Sequence, residues 1–147
     1  MKATVAFIFF MLFLAGIAFV NLKGMKSSDD LKVLAPEQLA DIAWRATAIG
    51  EMRLDEDSGI HVQFDADGQV TGNSGCNRFF GSYELQEGKL SIGPLGATRM
   101  ACPEPAMSFE ISFLAALQSA DTAARADDRL AIRNADGVTV ARFVAIN

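Results

Sequence analysis

The sequence predicts an α+β domain with a strongly curved antiparallel sheet, half-barrel-like and covered by one main helix. Three observations carry this. Three stretches alternate apolar and polar residues around the two-residue turn signals Asp67-Gly68, Glu87-Gly88 and Asp136-Gly137. Glu104 to Ser119 instead repeats its apolar residues every three or four positions. An apolar N-terminal run, read as a transmembrane or signal helix, precedes both.

That run sets residues 1–22 apart. Ala3 to Val20 contains no charged or strongly polar residue over 18 positions. As a helix it would be about 27 Å long, close to the roughly 30 Å apolar thickness of a bilayer. It also has signal-peptide parts: Lys2, an apolar centre from Val5 to Leu14, then Ala15, Gly16 and Ala18. Cleavage after Ala18 would place Gly16 three positions back, and Phe19, Val20 and Leu22 prolong the apolar stretch. An uncleaved signal anchor is therefore the preferred expectation, with secretion to the periplasm the alternative. Lys23, Lys26 and Lys32 on the far side argue for a cytoplasmic domain. The terminal position of the run and the pair of cysteines argue for export, which is the reading adopted.

Residues 23–35, rich in Lys, Ser and Asp, read as a linker, and residues 36–147 as the domain. Pro36 to Ile42 suggests one or two helical turns, and Trp44 to Ile49 a strand. Ile60, Val62 and Phe64 alternate with His61, Gln63 and Asp65 before Val70 resumes the pattern. Tyr83 and Leu85 lead to Leu90 and Ile92, and Leu130 and Ile132 lead to Val138, Val140, Val144 and Ile146. In the helical segment Met107, Ile111, Leu114 and Leu117 form the expected buried stripe, widened by Phe113 and Ala116.

All 18 acidic residues follow Lys26, against 10 basic ones, leaving this part of the chain at −8. Nucleic acid is excluded as a partner, because phosphate-backbone binding needs a basic face. Anionic headgroups would repel the domain too, so contact with the membrane is expected through the N-terminal segment alone.

The most distinctive stretch runs Gly72-Asn73-Ser74-Gly75-Cys76-Asn77-Arg78-Phe79-Phe80-Gly81-Ser82-Tyr83, followed by Thr98-Arg99-Met100-Ala101-Cys102 and by Glu110, Phe113 and Leu117. Gly72, Gly75 and Gly81 permit positive φ or close backbone approach, and Asn77 can bond local backbone groups. The pattern resembles the META domain of the HslJ heat-shock family, more loosely from Pro36 to Phe143. The resemblance implies a small α+β envelope domain linked to heat shock, antibiotic tolerance or virulence, without established catalysis. Many similar proteins carry a lipid on a cysteine. Here Ile17 follows Leu14-Ala15-Gly16 where that cysteine would stand, which favours a protein anchor.

Cys76 and Cys102 are the only cysteines, and an exported setting favours a disulfide between them, with two buried thiols or a redox or metal site as alternatives. One His and two Cys fall short of a structural zinc site, and no metal is expected. Asp55, Asp57, Asp65 and Asp67 do not fit a calcium loop, because the Gly and the distal Glu are out of register. His61 reads as an exposed or interstrand residue. No cofactor-binding motif and no catalytic set is present, so no cofactor and no enzyme activity are expected. Asn77, Arg78, Thr98 and Arg99 are the candidate binding residues; the simpler role for the arginines is structural bonding. An unrecognised enzyme using these four with Glu110 is the alternative of another class. Phe64, Phe79, Phe80, Tyr83 and Phe113 are candidates for an apolar-ligand groove, a filled core being preferred. The expectation is a non-enzymatic stress-tolerance or binding module outside the cytoplasm, its partner an envelope protein or an apolar ligand.

Overall fold

Pairing starts at the hairpins that the sequence marks. The computed structural model of the protein describes residues 34–146; the segment 1–22 and linker residues 23–33 lie outside them. β3 (His61–Phe64) and β4 (Gln69–Asn73) join through Asp67-Gly68, where Gly68 takes a φ of 86°. β5 (Arg78–Gln86) and β6 (Lys89–Ile92) join through Glu87 and Gly88, both at positive φ, as a two-residue turn between twisted strands requires. β9 (Arg129–Arg133) turns at Gly137 into β10 (Thr139–Ile146), and Asn134 Oδ1 accepts from the amides of Asp136 and Val138 in that turn.

The strand expected at 44–49 is β1 (Ala43–Ile49), and short β2 (Met52–Arg53) folds back on it. β7 (Gly96–Ala97) pairs with β5, and β8 (Thr122–Ala126) pairs with β9 across a turn at Asp127 and Asp128. These three strands extend the sheet beyond the elements legible in the sequence.

The half-barrel expectation needs one correction: the sheet closes. The order β10-β9-β8-β6-β5-β4-β3-β1 returns to its start because β1 also pairs with β10, giving an eight-stranded antiparallel barrel. Closure removes the exposed edges that an open curved sheet of this size would carry. Its thinnest seam is β6–β8, a single register pair, Lys89 with Thr122. There Lys89 Nζ donates to Asp121 Oδ2 at 2.7 Å.

The barrel is filled. Trp44, Phe64, Phe79, Phe113 and Phe143 are at most 1% exposed. Phe113 meets Phe79 and Phe143 edge to face with ring centres 5.9 and 6.1 Å apart, and Phe64 meets Tyr83 at 4.9 Å. Of the aromatics considered for a groove, only Phe80 is exposed, at 59%, because it alternates outward from Phe79 on β5. Leu34, placed by the sequence in the linker, is buried in this core. Tyr83 donates to the Asp65 carbonyl at 2.8 Å; burial, then the charges of Asp41, Asp65 and Asp67, raise its pKa above the usual tyrosine value.

Helix α1 (Ala106–Gln118) covers the barrel, but turned from the expected face. Glu110, Phe113, Ala116 and Leu117 are buried, whereas Ile111 is 67% exposed and Met107 and Leu114 only partly covered. The cause is Glu110: its carboxylate is held inside by hydrogen bonds, which fixes the helix rotation. The turns expected at Pro36–Ile42 are one 3₁₀ turn, Pro36–Gln38, after which Leu39 is fully buried and its carbonyl accepts from Trp44 Nε1 at 3.1 Å.

Candidate functional site

The glycine-rich segment between β4 and β5 turns sharply, and its side chains fasten it to the rest of the domain. Asn73 Oδ1 accepts from the Gly75 amide at 2.8 Å, and Gly75 takes a φ of 109°, which favours glycine. A Cβ on Gly72 would lie 2.1 Å from the His61 carbonyl and 2.7 Å from the Phe79 ring, so that position needs glycine for closeness rather than for φ.

Asn77, 1% exposed, is the centre of the fastening. Its backbone amide donates to Glu110 Oε2 at 2.9 Å, and its Nδ2 donates to Glu110 Oε1 at 3.1 Å and to the Met100 carbonyl at 3.2 Å. Its Oδ1 accepts from the Met100 amide at 2.7 Å and the Thr98 hydroxyl at 2.9 Å. The side-chain amide thus uses its full donor and acceptor capacity. The Ser74 hydroxyl adds a bond to Glu110 Oε2 at 2.8 Å, and Cys76 is joined to Cys102 with Cα atoms 5.9 Å apart. One loop is tied in this way to the 98–102 segment and to α1, by a buried carboxylate and a disulfide.

The four candidate binding residues therefore divide. Asn77 and Thr98 serve the loop bracing; the Thr98 hydroxyl also accepts the Arg78 amide at 3.2 Å. Glu110, named with the enzyme alternative, is the bracing carboxylate. Arg78 is exposed on the outer face of β5, where it lines a groove of about 450 Å³. Arg99 is exposed and lies outside that groove.

Strand register builds the groove wall. His61 faces Asn73, which faces Arg78; one row along, Gln63 faces Thr71, which faces Phe80. Both rows point outward because Val62, Phe64, Val70 and Phe79 point into the barrel. His61 Nδ1 lies 2.9 Å from the Gly59 carbonyl, which leaves Nε2 as the ring nitrogen available. Arg78 entered the sequence reading as a candidate binding residue and Phe80 as a candidate for an apolar groove; the other groove residues did not enter it as a site. The signal was the outward alternation of β3, β4 and β5, which becomes a site only once the three strands are placed side by side. Among the described residues no group of three or more His, Cys, Asp or Glu side chains is placed to hold a metal ion.

The sequence pattern of the META domain matches residues 37–146. The chain belongs to the META domain family. Its fold is similar to the NMR structure of a protein from Burkholderia xenovorans at 32% identity and TM-score 0.63, covering 77% of this chain and 87% of that one. A second NMR structure is similar at 22% identity and TM-score 0.62, over 76% and 95% of the two chains. A crystal structure of a DUF4847 family protein from Bacteroides vulgatus shares the fold at 17% identity and TM-score 0.54, over 74% and 94%. No curated protein matches the sequence. In this META domain the Gly72-Asn73-Ser74-Gly75-Cys76-Asn77-Arg78 segment is thus a structural brace up to Asn77 and an exposed surface at Arg78.

Proposed function

We propose that this META domain is a non-enzymatic binding module of the cell envelope, held outside the cytoplasm by its N-terminal segment, where it helps the envelope tolerate stress. The observation that carries the reading is the Cys76–Cys102 disulfide, which belongs with an oxidising compartment. The apolar stretch Ala3 to Val20 supplies the means of export.

A binding role is favoured by how the polar groups are used. Both thiols are consumed in the disulfide, and Asn77, Thr98 and Glu110 bond to one another and to backbone. The aromatic side chains fill the barrel, so the partner is to be sought on the outer surface rather than in an interior lipid pocket.

Fusions test the compartment. Alkaline phosphatase joined after Asn147 of the full chain should be active in growing cells, and a fluorescent protein that matures only in the cytoplasm should stay dark at the same junction. The reverse pattern would remove the envelope reading.

A further inference from the structure

The outer face of β3, β4 and β5 carries a feature at odds with the charge of the domain. The chain after Lys26 stands at −8, yet among the described residues no carboxylate lines the groove formed by His61, Gln63, Thr71, Asn73, Arg78 and Phe80. Among the described residues the ion pairs are Arg45 with Glu56 and Lys89 with Asp121, so the Arg78 guanidinium is not engaged by an acidic side chain. A second groove holds Arg53 and Arg142, but Glu51 lines it too, and Arg142 Nη1 already donates to the Gly50 carbonyl at 3.1 Å.

The neighbours of Arg78 complete a recognition surface. Asn73 spends its Oδ1 on the Gly75 amide, which leaves the Nδ2 donor directly across the strand pair from Arg78. Thr71 adds a hydroxyl in the next row, and Phe80 an exposed ring two residues along β5 from Arg78, the two Cα atoms about 7 Å apart by strand geometry. Gly96 opposite Phe80 has no side chain, and a Cβ there would meet the ring at 2.7 Å, so the ring is supported by backbone.

We propose that this groove binds a carboxylate carried beside a flat apolar group, the carboxylate on Arg78 and Asn73 and the apolar group on Phe80. A guanidinium fork takes a carboxylate through two parallel hydrogen bonds. One uncompensated cation matches one negative charge; a doubly charged phosphate would meet the repulsion of the acidic domain. The groove volume is within the range of small-ligand sites. Two sources present this chemistry: the C-terminal residue of a peptide chain ending in an aromatic, and a free aryl carboxylate. The proposal builds on the binding role above but not on the compartment, so the fusion test and the test below can fail separately.

The test is an NMR titration of the isotope-labelled full chain in zwitterionic detergent, following the Arg78 Nε–H, the Asn73 side-chain amide and the Phe80 ring. The probes are N-acetyl-alanyl-phenylalanine, its C-terminal amide, and phenylacetate. Saturable shifts at these three groups are expected with the acid at a Kd of about 1 mM or tighter, and binding of the amide about tenfold weaker. Arg78→Gln should weaken binding of the acid about tenfold while leaving the rest of the spectrum in place, since its side chain makes no hydrogen bond or ion pair among the described residues. Phenylacetate binding as tightly as the dipeptide identifies a free aryl carboxylate as sufficient; weaker binding assigns the site to a peptide terminus. Equal affinity for acid and amide, shifts confined to other surfaces, or an unchanged Kd in Arg78→Gln would overturn the proposal.

Discussion

Replacing Glu110 by Ala is expected to lower the stability of the META domain by about 3 to 4 kcal/mol, the largest effect of any single substitution considered. Three donors converge on this carboxylate: the Asn77 amide, Asn77 Nδ2 and the Ser74 hydroxyl. Only the Ser74 hydroxyl has a good fallback, the Asn77 carbonyl at 2.9 Å. The Nδ2 hydrogen freed from Glu110 keeps only a 3.5 Å contact with Cys76 Sγ, its other hydrogen being already on the Met100 carbonyl. The Asn77 amide is left with no partner, which costs about 1 to 3 kcal/mol when buried, and the lost charged bonds and the cavity supply the rest. For a domain of this size the melting temperature should fall by about 12 °C. Glu110→Gln should fall between the two proteins, because it keeps the volume and one acceptor but turns an NH₂ toward a donor. Thermal unfolding of the three proteins in non-reducing buffer checks the order; an Ala variant as stable as the parent would contradict the bracing role.

Removing the disulfide is expected to cost about 3 kcal/mol. Cys76 and Cys102 are 26 residues apart in sequence, and their bond restricts the unfolded chain over that loop. Adding reductant should therefore lower the urea midpoint of the parent protein and leave that of a Cys76→Ser, Cys102→Ser variant unmoved. The loss should be less than additive with Glu110→Ala, because both devices hold the same loop against the same helix. Full additivity would mean that loop and helix are held independently.

The turns were the legible part of this fold. Asp67-Gly68, Glu87-Gly88 and Asp136-Gly137 each close a hairpin, because positive φ beside alternating apolar residues has few other uses. Barrel closure was not legible, since it depends on β1 meeting β10 about a hundred residues away, with register shifts in both strands that no local pattern announces. β8 escaped for a different reason. Thr-Ala-Ala-Arg-Ala has weak strand propensity and is recruited by its neighbours, and its turn into β9 uses Asp127 at a φ of 54° without any glycine.

The site was half legible. The motif around Cys76 stood out in the sequence, and its cysteines are joined in the structure. Its chemistry did not divide there as it does in space: Asn77 turns inward to a buried carboxylate, and the next residue, Arg78, turns outward to solvent. Asn77 ends the loop and Arg78 opens β5, so the split falls at the strand boundary, and only a placed β5 shows which residue faces which way. Glu110 misled the helix reading because a glutamate is ordinarily assigned to the wet face. Three hydrogen bonds reverse that preference and carry Ile111 out to solvent.

The claim that this META domain works outside the cytoplasm is tested most directly by the state of its two thiols in living cells. Cells producing the full chain are quenched in acid, alkylated under denaturing conditions and analysed by intact mass, with and without prior reduction. The account predicts no alkylation of Cys76 or Cys102 until reductant is added, and then two additions. Two additions without reductant, from cells whose other envelope disulfides are intact, would contradict it.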